Sequence, residues 1–127
     1  MKKFLSLLYV LLLCACHQEA VYLSEQDSGR RITLEIGQTA VITLPENQTT
    51  GYSWLFEVTP EEQDIIGNIK EKYIHQKTKL VGSGGVKEFS FKAQNTGKAD
   101  IYGYYRRPWE ELDKKTAQSV HFTIIIK

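Results

Sequence analysis

The feature that most constrains this chain is an alternation of apolar and polar residues with a period of two, repeated along most of its length. In one example Ile32, Leu34 and Ile36 alternate with Thr33 and Glu35. Successive side chains of a strand point to opposite faces of a sheet, so this alternation is typical of strands with one buried face. The pattern recurs in residues 39–44, 52–58, 69–75, 89–93, 99–105 and 120–126.

These segments predict an all-β domain of about seven strands with no long helix. A parallel βαβ architecture would need crossover helices that the sequence does not offer. We therefore favour a two-sheet β-sandwich of the immunoglobulin-like type, with a small barrel as the alternative, because strand number alone does not separate the two. Residues 60–67 are acidic and are predicted to form a single helical turn or a loop.

Aromatic residues are assigned by the same alternation. Trp54 falls on an inward-facing stripe and is predicted to lie in the core. Tyr102, Tyr104 and Tyr105 are interpreted as aromatic side chains on the surface of a sheet.

The first residues have the pattern of an export signal. Two lysines precede an apolar run at residues 4–13 that is too short to span a bilayer. Residues 13–16, Leu-Cys-Ala-Cys, resemble the bacterial lipobox, in which Cys16 would become the lipid-bearing first residue of the mature protein. Cys14 is the competing position, but Leu13 is a poor match to the small residue expected before it. The alternatives are an ordinary secretory peptide with two incidental cysteines, or a buried helix.

These patterns divide the chain into three segments. Residues 1–15 are predicted to be a lipoprotein signal peptide, residues 16–29 a lipidated tether that begins to order near residues 21–23, and residues 30–127 the folded domain. We expect an exported protein, attached to the membrane through a lipid on Cys16. It would lie in the bacterial cell envelope, at the periplasmic face of the inner or outer membrane or at the cell surface.

Charge and cysteine content argue against several classes of function. The 16 basic and 15 acidic residues nearly balance, whereas nucleic-acid phosphates call for a strongly positive face. Both cysteines precede residue 17, so the domain has no thiol for a nucleophile or a thiolate metal site. Its histidines are isolated, and no nucleophile-elbow signature is present. We expect no nucleic-acid partner, catalytic residue, metal or cofactor, and the protein is predicted not to be an enzyme.

Three connections between predicted strands contain more glycine, proline and threonine than minimal turns require. They are residues 47–52 (Asn-Gln-Thr-Thr-Gly-Tyr), residues 82–85 (Gly-Ser-Gly-Gly) and a third loop that begins with Arg-Pro-Trp at residues 107–109. In a Greek-key sandwich the loops after the second, fourth and sixth strands cluster at one end. Taken singly, these segments are also compatible with a turn, a flexible connection and a proline-stiffened corner. Their order favours one shared surface.

At these loops the chain resembles the chagasin family of cysteine-protease inhibitors. That family has Asn-Pro-Thr-Thr-Gly-(Tyr/Phe), Gly-x-Gly-Gly and Arg-Pro-Trp loops, in that order, on an immunoglobulin-like domain. The resemblance covers residues 30–127 and departs at Gln48, where the family has proline. Because proline pre-sets the backbone, its loss is expected to cost the loop about 0.4–1 kcal/mol. The resemblance implies a protease-binding set of Asn47, Gln48, Thr49, Thr50, Gly51, Tyr52, Gly82, Ser83, Gly84, Gly85, Arg107, Pro108 and Trp109.

The resemblance implies a reversible, non-covalent inhibitor of papain-like cysteine proteases whose three loops occlude the active-site cleft. Gly51 would let the backbone approach the protease closely, and Thr49 and Thr50 have no base that would make either a nucleophile. Trp109 is the expected aromatic anchor. Arg107 is expected either to pair with a protease carboxylate or to brace its own loop. We expect a monomer.

The alternative function is that of another cell-envelope binding protein, such as a small lipoprotein that inhibits lysozyme or an assembly factor. Such a protein would share the leader and the all-β body. Three glycine- or proline-marked loops at one end favour the protease inhibitor, because the alternatives do not need that combination.

Overall fold

The computed structural model describes residues 18–75 and 84–127. The predicted signal peptide and the lipidation site Cys16 lie outside the described residues, as do Gly82 and Ser83 of the second loop.

The described chain forms two four-stranded sheets and one short helix. The elements are β1 (Val21–Leu23), β2 (Arg31–Leu34), β3 (Thr39–Glu46), β4 (Ser53–Glu57), α1 (Pro60–Ile66), β5 (Lys70–His75), β6 (Gly85–Lys92), β7 (Gly97–Arg106) and β8 (Gln118–Ile126), with 3-10 turns at Glu25–Asp27 and Gln48–Thr50. One sheet has the order β1-β3-β6-β5 and the other β2-β8-β7-β4. The β1–β3 and β2–β8 pairs are parallel and the others antiparallel. The predicted β-sandwich is confirmed, and the alternative fold, a small barrel, is not formed.

The core lies between the two sheets and is built by the predicted alternation. Trp54 is buried, as predicted, and belongs to the same core cluster as Phe89, Phe91 and Phe122. Ile36 is an exception, because β2 ends at Leu34 and the chain turns there, which leaves Ile36 half exposed.

The assignment of the tyrosines from the sequence needs correction. Tyr104 was expected on the sheet surface but is buried, and Lys114 Nζ of the third loop lies 5.6 Å from the centre of its ring. Tyr105 was also expected on the surface but packs against the core, with its ring centre 5.1 Å from that of Trp54.

The folded part of the chain also starts before Arg30, within the predicted tether. Val21–Leu23 pair with Ala40–Ile42, and Leu23 contributes to the core. A strand of three residues is too short to show alternation.

The helix α1 settles the open assignment of residues 60–67. Thr59 caps it by accepting a hydrogen bond from the Glu62 backbone N–H at 3.2 Å, and Pro60 occupies the first turn, where its missing N–H is not needed. Ile65 accepts backbone hydrogen bonds from Gln94 and Asn95. The helix thus lies at the same end of the sandwich as the β6–β7 turn.

The sandwich therefore has two distinct ends. We call the end that carries the first loop, Gly84 and residues 107–117 the loop pole, because β3, β4 and β7 reach it at Glu46, Ser53 and Arg106. We call the opposite end the base pole. It carries residues 35–38 and 93–95, which are joined by hydrogen bonds between Gly37 and Ala93 and between Ala93 and Gln38.

Candidate functional site at the loop pole

The first loop is a compact turn held by its own hydrogen bonds. The Asn47 side chain accepts from the Thr49 backbone N–H at 3.1 Å and from the Thr49 hydroxyl at 2.6 Å. The Thr50 hydroxyl donates to the Asn47 carbonyl oxygen at 2.7 Å. Asn47 thus caps the 3-10 turn Gln48–Thr50, which explains why a short amide side chain suits this position. The loop is ordered by local contacts and does not depend on a partner for its shape.

Gly51 ends this turn in the left-handed conformation, with φ of +80°. A Cβ atom added there would lie 2.5 Å from Cη2 of Trp109. The backbone angle therefore favours glycine, and any larger residue at this position would displace the Trp109 ring. The Trp109 side chain, which is 72% exposed, packs on the Gly51 backbone and joins the first loop to the third.

The third loop begins with a turn that its sequence favours. The Glu110 backbone N–H donates to the Arg107 carbonyl oxygen at 3.1 Å, and Pro108 occupies the position after Arg107, where proline suits this geometry. The turn places Trp109 at its exposed apex.

Arg107 ties the third loop to the first. Its Nε donates to the Thr50 carbonyl oxygen at 3.2 Å, and its Nη1 pairs with Glu110 at 3.1 Å. The guanidinium also lies 4.6 Å from the centre of the Tyr52 ring, which stacks on Tyr105. The sequence left two roles open for Arg107, pairing with a protease carboxylate or bracing its own loop. In the free protein Arg107 braces its own loop and also the first loop.

The described part of the second loop meets the first. A Cβ atom on Gly84 would lie 3.3 Å from the Glu46 carbonyl oxygen and 3.4 Å from the Asn47 Cβ. Gly85 starts β6 directly opposite Glu46. The loop pole therefore brings together every predicted binding residue within the described ranges.

A buried polar network lies beneath the first loop, and the sequence analysis did not identify it. Glu46 is 2% exposed and Lys87 is 9% exposed. Glu46 Oε1 accepts from the Trp54 backbone N–H at 2.7 Å and from the Ser53 hydroxyl at 3.0 Å. Lys87 Nζ donates to Ser53 Oγ at 3.0 Å and to the Trp54 carbonyl oxygen at 3.1 Å. We call Glu46, Ser53, Trp54 and Lys87 the sub-loop network.

The sub-loop network joins the two sheets where the first loop leaves them. Glu46 and Lys87 belong to one sheet, and Ser53 and Trp54 belong to the other. A buried carboxylate is stable only when charged or polar groups bond it, and here a backbone N–H and a hydroxyl do so. The network therefore fixes both ends of the first loop. Its signal in the sequence is two charged residues, Glu46 and Lys87, on inward-facing stripes.

Two further electrostatic interactions lie away from the sub-loop network. The Thr123 hydroxyl, which donates to Asp100 at 2.7 Å, is the main cause that lowers the pKa of Asp100, and His121 adds to the effect. The hydrogen bond from Lys114 to Glu57 raises the pKa of Lys114. Within residues 18–75 and 84–127, no group of three His, Cys, Asp or Glu side chains is placed to hold a metal ion. Over the same ranges, no helix has the length and apolar character needed to cross a membrane.

Comparison with known proteins identifies the family. Residues 33–126 match the model of a family described as Chagasin family peptidase inhibitor I42. The chain belongs to the chagasin family. Chagasin of Trypanosoma cruzi is 30% identical over 102 residues, which are 79% of this chain and 90% of chagasin. These matches confirm the resemblance predicted from the loop motifs. Members of the family are peptidase inhibitors and not enzymes.

Solved structures agree on the fold. A cysteine protease inhibitor from Entamoeba histolytica superposes with a TM-score of 0.71 at 20% identity, covering 89% of this chain and 100% of that one. The inhibitor PbICP-C, solved in complex with falcipain-2, superposes with a TM-score of 0.54 at 16% identity, covering 87% of this chain and 93% of that one. At these identities the likeness establishes the shared sandwich alone.

Proposed function

We propose that this chagasin-family inhibitor blocks papain-like cysteine proteases reversibly, by placing its three loops in the active-site cleft without forming a covalent bond. The observation that carries the proposal is the contact between Gly51 and Trp109 at an exposed apex, beside Gly84 and Asn47. It gives the loop pole one continuous surface made from all three loops. The complex of PbICP-C with falcipain-2 supports a protease as the partner.

The centre of the contact is the segment Thr49–Gly51. Both threonine hydroxyls donate within the loop, to Asn47, so neither is prepared as a nucleophile. Their oxygen atoms and the backbone provide the groups that can bond the walls of a cleft. Because the turn is already formed, little conformational entropy is lost when it binds. A turn held in this way also resists the extension that cleavage would require.

Trp109 and the glycines flank this centre. An exposed tryptophan that becomes buried in a partner's pocket typically contributes about 2 kcal/mol or more on truncation. Its ring is already placed by Gly51 and by the turn at Pro108. Protease–inhibitor contacts bury about 800 Å² on each partner, an area that three adjacent loops can supply. A single copy carries all three loops, so the proposed inhibitor acts as a monomer.

Binding to papain with a blocked catalytic cysteine tests the non-covalent mechanism. The papain thiol is capped as a small methyl disulfide, and association is followed by biolayer interferometry. We expect capped papain to bind with a Kd within about tenfold of that for active papain. An inhibitor–papain adduct in the mass spectrum of the active complex would contradict the proposal, as would loss of binding on capping.

We propose further that Cys16 carries a lipid that attaches the inhibitor to the bacterial cell envelope. Support comes from the sequence of residues 13–16 and the apolar run before it. The full chain, expressed in a bacterium, should partition with membranes and show acyl chains on Cys16 by mass spectrometry. The variant Cys16→Ser, produced without the predicted signal peptide (residues 1–15), should be found without acyl chains in the soluble fraction. An unmodified Cys16 in the membrane-extracted protein would refute the anchor.

A further inference from the structure

The direction of the first strand determines where the N-terminal segment leaves the sandwich. β1 runs parallel to β3, with Val21 opposite Ala40 at the start of β3. β3 then runs from the base pole to Glu46 beneath the first loop. At about 3.3 Å per residue, the eight residues of β3 separate the two poles by about 26 Å. The segment before Val21 therefore enters from the base pole, at the far end from the loops.

Two hydrogen bonds hold the first described residues against the base pole. Gln18 Nε2 donates to Glu35 Oε2 at 3.0 Å, and Gln38 Nε2 donates to the Glu19 carbonyl oxygen at 2.8 Å. Gln18 Oε1 lies 3.2 Å from the position of a Cβ added to Gly37. One residue separates Gln18 from Cys16. Since a residue spans at most about 3.5 Å, a connection of two residues reaches at most about 7 Å from Gln18.

The surface of the base pole suits the edge of a lipid bilayer. Ile36 is 50% exposed and lines a groove together with the exposed Lys70 and Lys92. An apolar side chain at this pole can enter the boundary between acyl chains and headgroups. Acidic residues lie at the same pole: Glu19, Glu35, which is bonded to Gln18, and Glu61, Glu62 and Asp64 of α1. The pole is therefore not a basic patch, and the lipid on Cys16, not charge, would hold it at the bilayer.

We propose that the lipid-anchored domain stands on the bilayer by its base pole, so that the loop pole projects away from the membrane. This inference rests on the lipid anchor at Cys16 proposed above. The short connection leaves too little chain for the domain to turn its loops toward the lipid while Gln18 keeps its contacts. The anchored inhibitor would thus meet a protease domain that lies in the aqueous phase, above the headgroups.

Two nitroxide labels, one at each pole, test this orientation. Ile36→Cys places a label at the base pole, and Lys115→Cys places one on an exposed part of the third loop outside the predicted binding set. Cys16 is acylated in the mature chain, so each variant offers a single free thiol. The full chain is extracted from bacterial membranes, labelled and reconstituted into vesicles of phosphatidylcholine and phosphatidylglycerol. Power-saturation EPR then compares collisions with oxygen, which enters lipid, and with a water-soluble nickel complex.

We expect the label at position 36 to lose collisions with the nickel complex and to gain collisions with oxygen on vesicles. The label at position 115 should behave as it does on the soluble Cys16→Ser protein. The inference is overturned if both labels stay equally accessible to the nickel complex, or if position 115 is the protected one. Protection of position 36 without vesicles would show self-association at this face and would also overturn it.

Papain titration separates this inference from the proposals on which it rests. The vesicle-bound protein should inhibit papain with an inhibition constant within about threefold of that of soluble Cys16→Ser, because the loops stay accessible. Inhibition at least about tenfold weaker on vesicles would contradict the orientation. A mass spectrum without acyl chains would overturn the anchor, and failure of the soluble variant to inhibit would overturn the inhibitor function.

Discussion

The change Glu46→Gln tests whether the sub-loop network holds the first loop in place. Glutamine has nearly the same shape, and its amide oxygen can accept the same two hydrogen bonds from the Trp54 N–H and the Ser53 hydroxyl. The change therefore removes the charge and keeps the packing. The affected carboxylate is 2% exposed, so solvent screens the effect little.

The expected fall in the free energy of unfolding follows from the two hydrogen bonds that Glu46 accepts. A hydrogen bond to a charged group contributes about 1.5–3 kcal/mol and a neutral one about 0.5–1.5 kcal/mol, so each of two bonds weakens by about 1 kcal/mol. We therefore expect the free energy of unfolding to fall by about 2 kcal/mol, which corresponds to a decrease in Tm of roughly 10 °C. A domain of ordinary stability, about 5–15 kcal/mol, stays folded after such a loss.

Two measurements on the same variant separate stability from loop placement. Urea unfolding followed by tryptophan fluorescence gives the free energy of unfolding, and papain titration at a temperature where the variant is folded gives the inhibition constant. We expect inhibition to weaken about tenfold, mainly through faster dissociation, because the loop is less well fixed.

The matched control is Glu57→Gln, which removes a surface ion pair with Lys114 at 2.9 Å and should change neither quantity measurably. If Glu46→Gln unfolds at the same urea concentration as the wild type and inhibits equally well, the reasoning about the network is wrong.

Four further changes test separate parts of the account. Gly51→Ala should lower stability by about 1–3 kcal/mol through backbone strain and should displace Trp109, raising the inhibition constant at least about tenfold. Trp109→Ala should weaken inhibition about 30-fold and leave unfolding unchanged, since the ring is 72% exposed. Gln48→Pro should stabilise the domain by about 0.4–1 kcal/mol, because Gln48 starts the 3-10 turn and Asn47 before it is already extended. Asp100, whose pKa is lowered chiefly by the Thr123 hydroxyl, adds stability above its usual pKa of 3.8 that is lost as the pH falls through the lowered value. Urea unfolding should therefore show Asp100→Asn less stable than the wild type at neutral pH, with the difference closing below pH 3.8.

Controls decide each of these outcomes. Gly29 has φ of +90° with nothing within 4 Å of an added Cβ, so Gly29→Ala introduces similar strain without meeting Trp109 and should not affect inhibition. Equal inhibition by Gly51→Ala and wild type would refute the role of the Gly51–Trp109 contact in inhibition. Unfolding of Trp109→Ala would show that the ring is structural. A destabilised Gln48→Pro, or a stability difference for Asp100→Asn that persists in acid, would contradict the corresponding argument.

Alternation along the strands was enough to predict the sandwich. The alternation arises because one face of each strand is buried, and the apolar residues on that face, such as Ile42, Phe89 and Phe122, can be read from the sequence. Clustering of the loops followed from Greek-key topology and the order of the motifs. These features could be predicted because each rests on a repeated pattern.

The features that could not be predicted depend on contacts between distant segments. Order near residues 21–23 was expected, but a strand of three residues carries no signal that it pairs in parallel with β3. Tyr104 is buried on a face that its periodicity assigns to solvent, and Lys114 of the third loop lies over its ring. Glu46 and Lys87 are visible as charges on inward-facing stripes, but only the three-dimensional arrangement shows that Ser53 and Trp54 bond both of them.

Steady-state titration of papain with the soluble Cys16→Ser protein tests the central claim most directly. The account predicts tight inhibition that is relieved on dilution, with the Thr49–Gly51 segment intact in the mass spectrum after prolonged incubation. Full papain activity in the presence of micromolar inhibitor protein would contradict it.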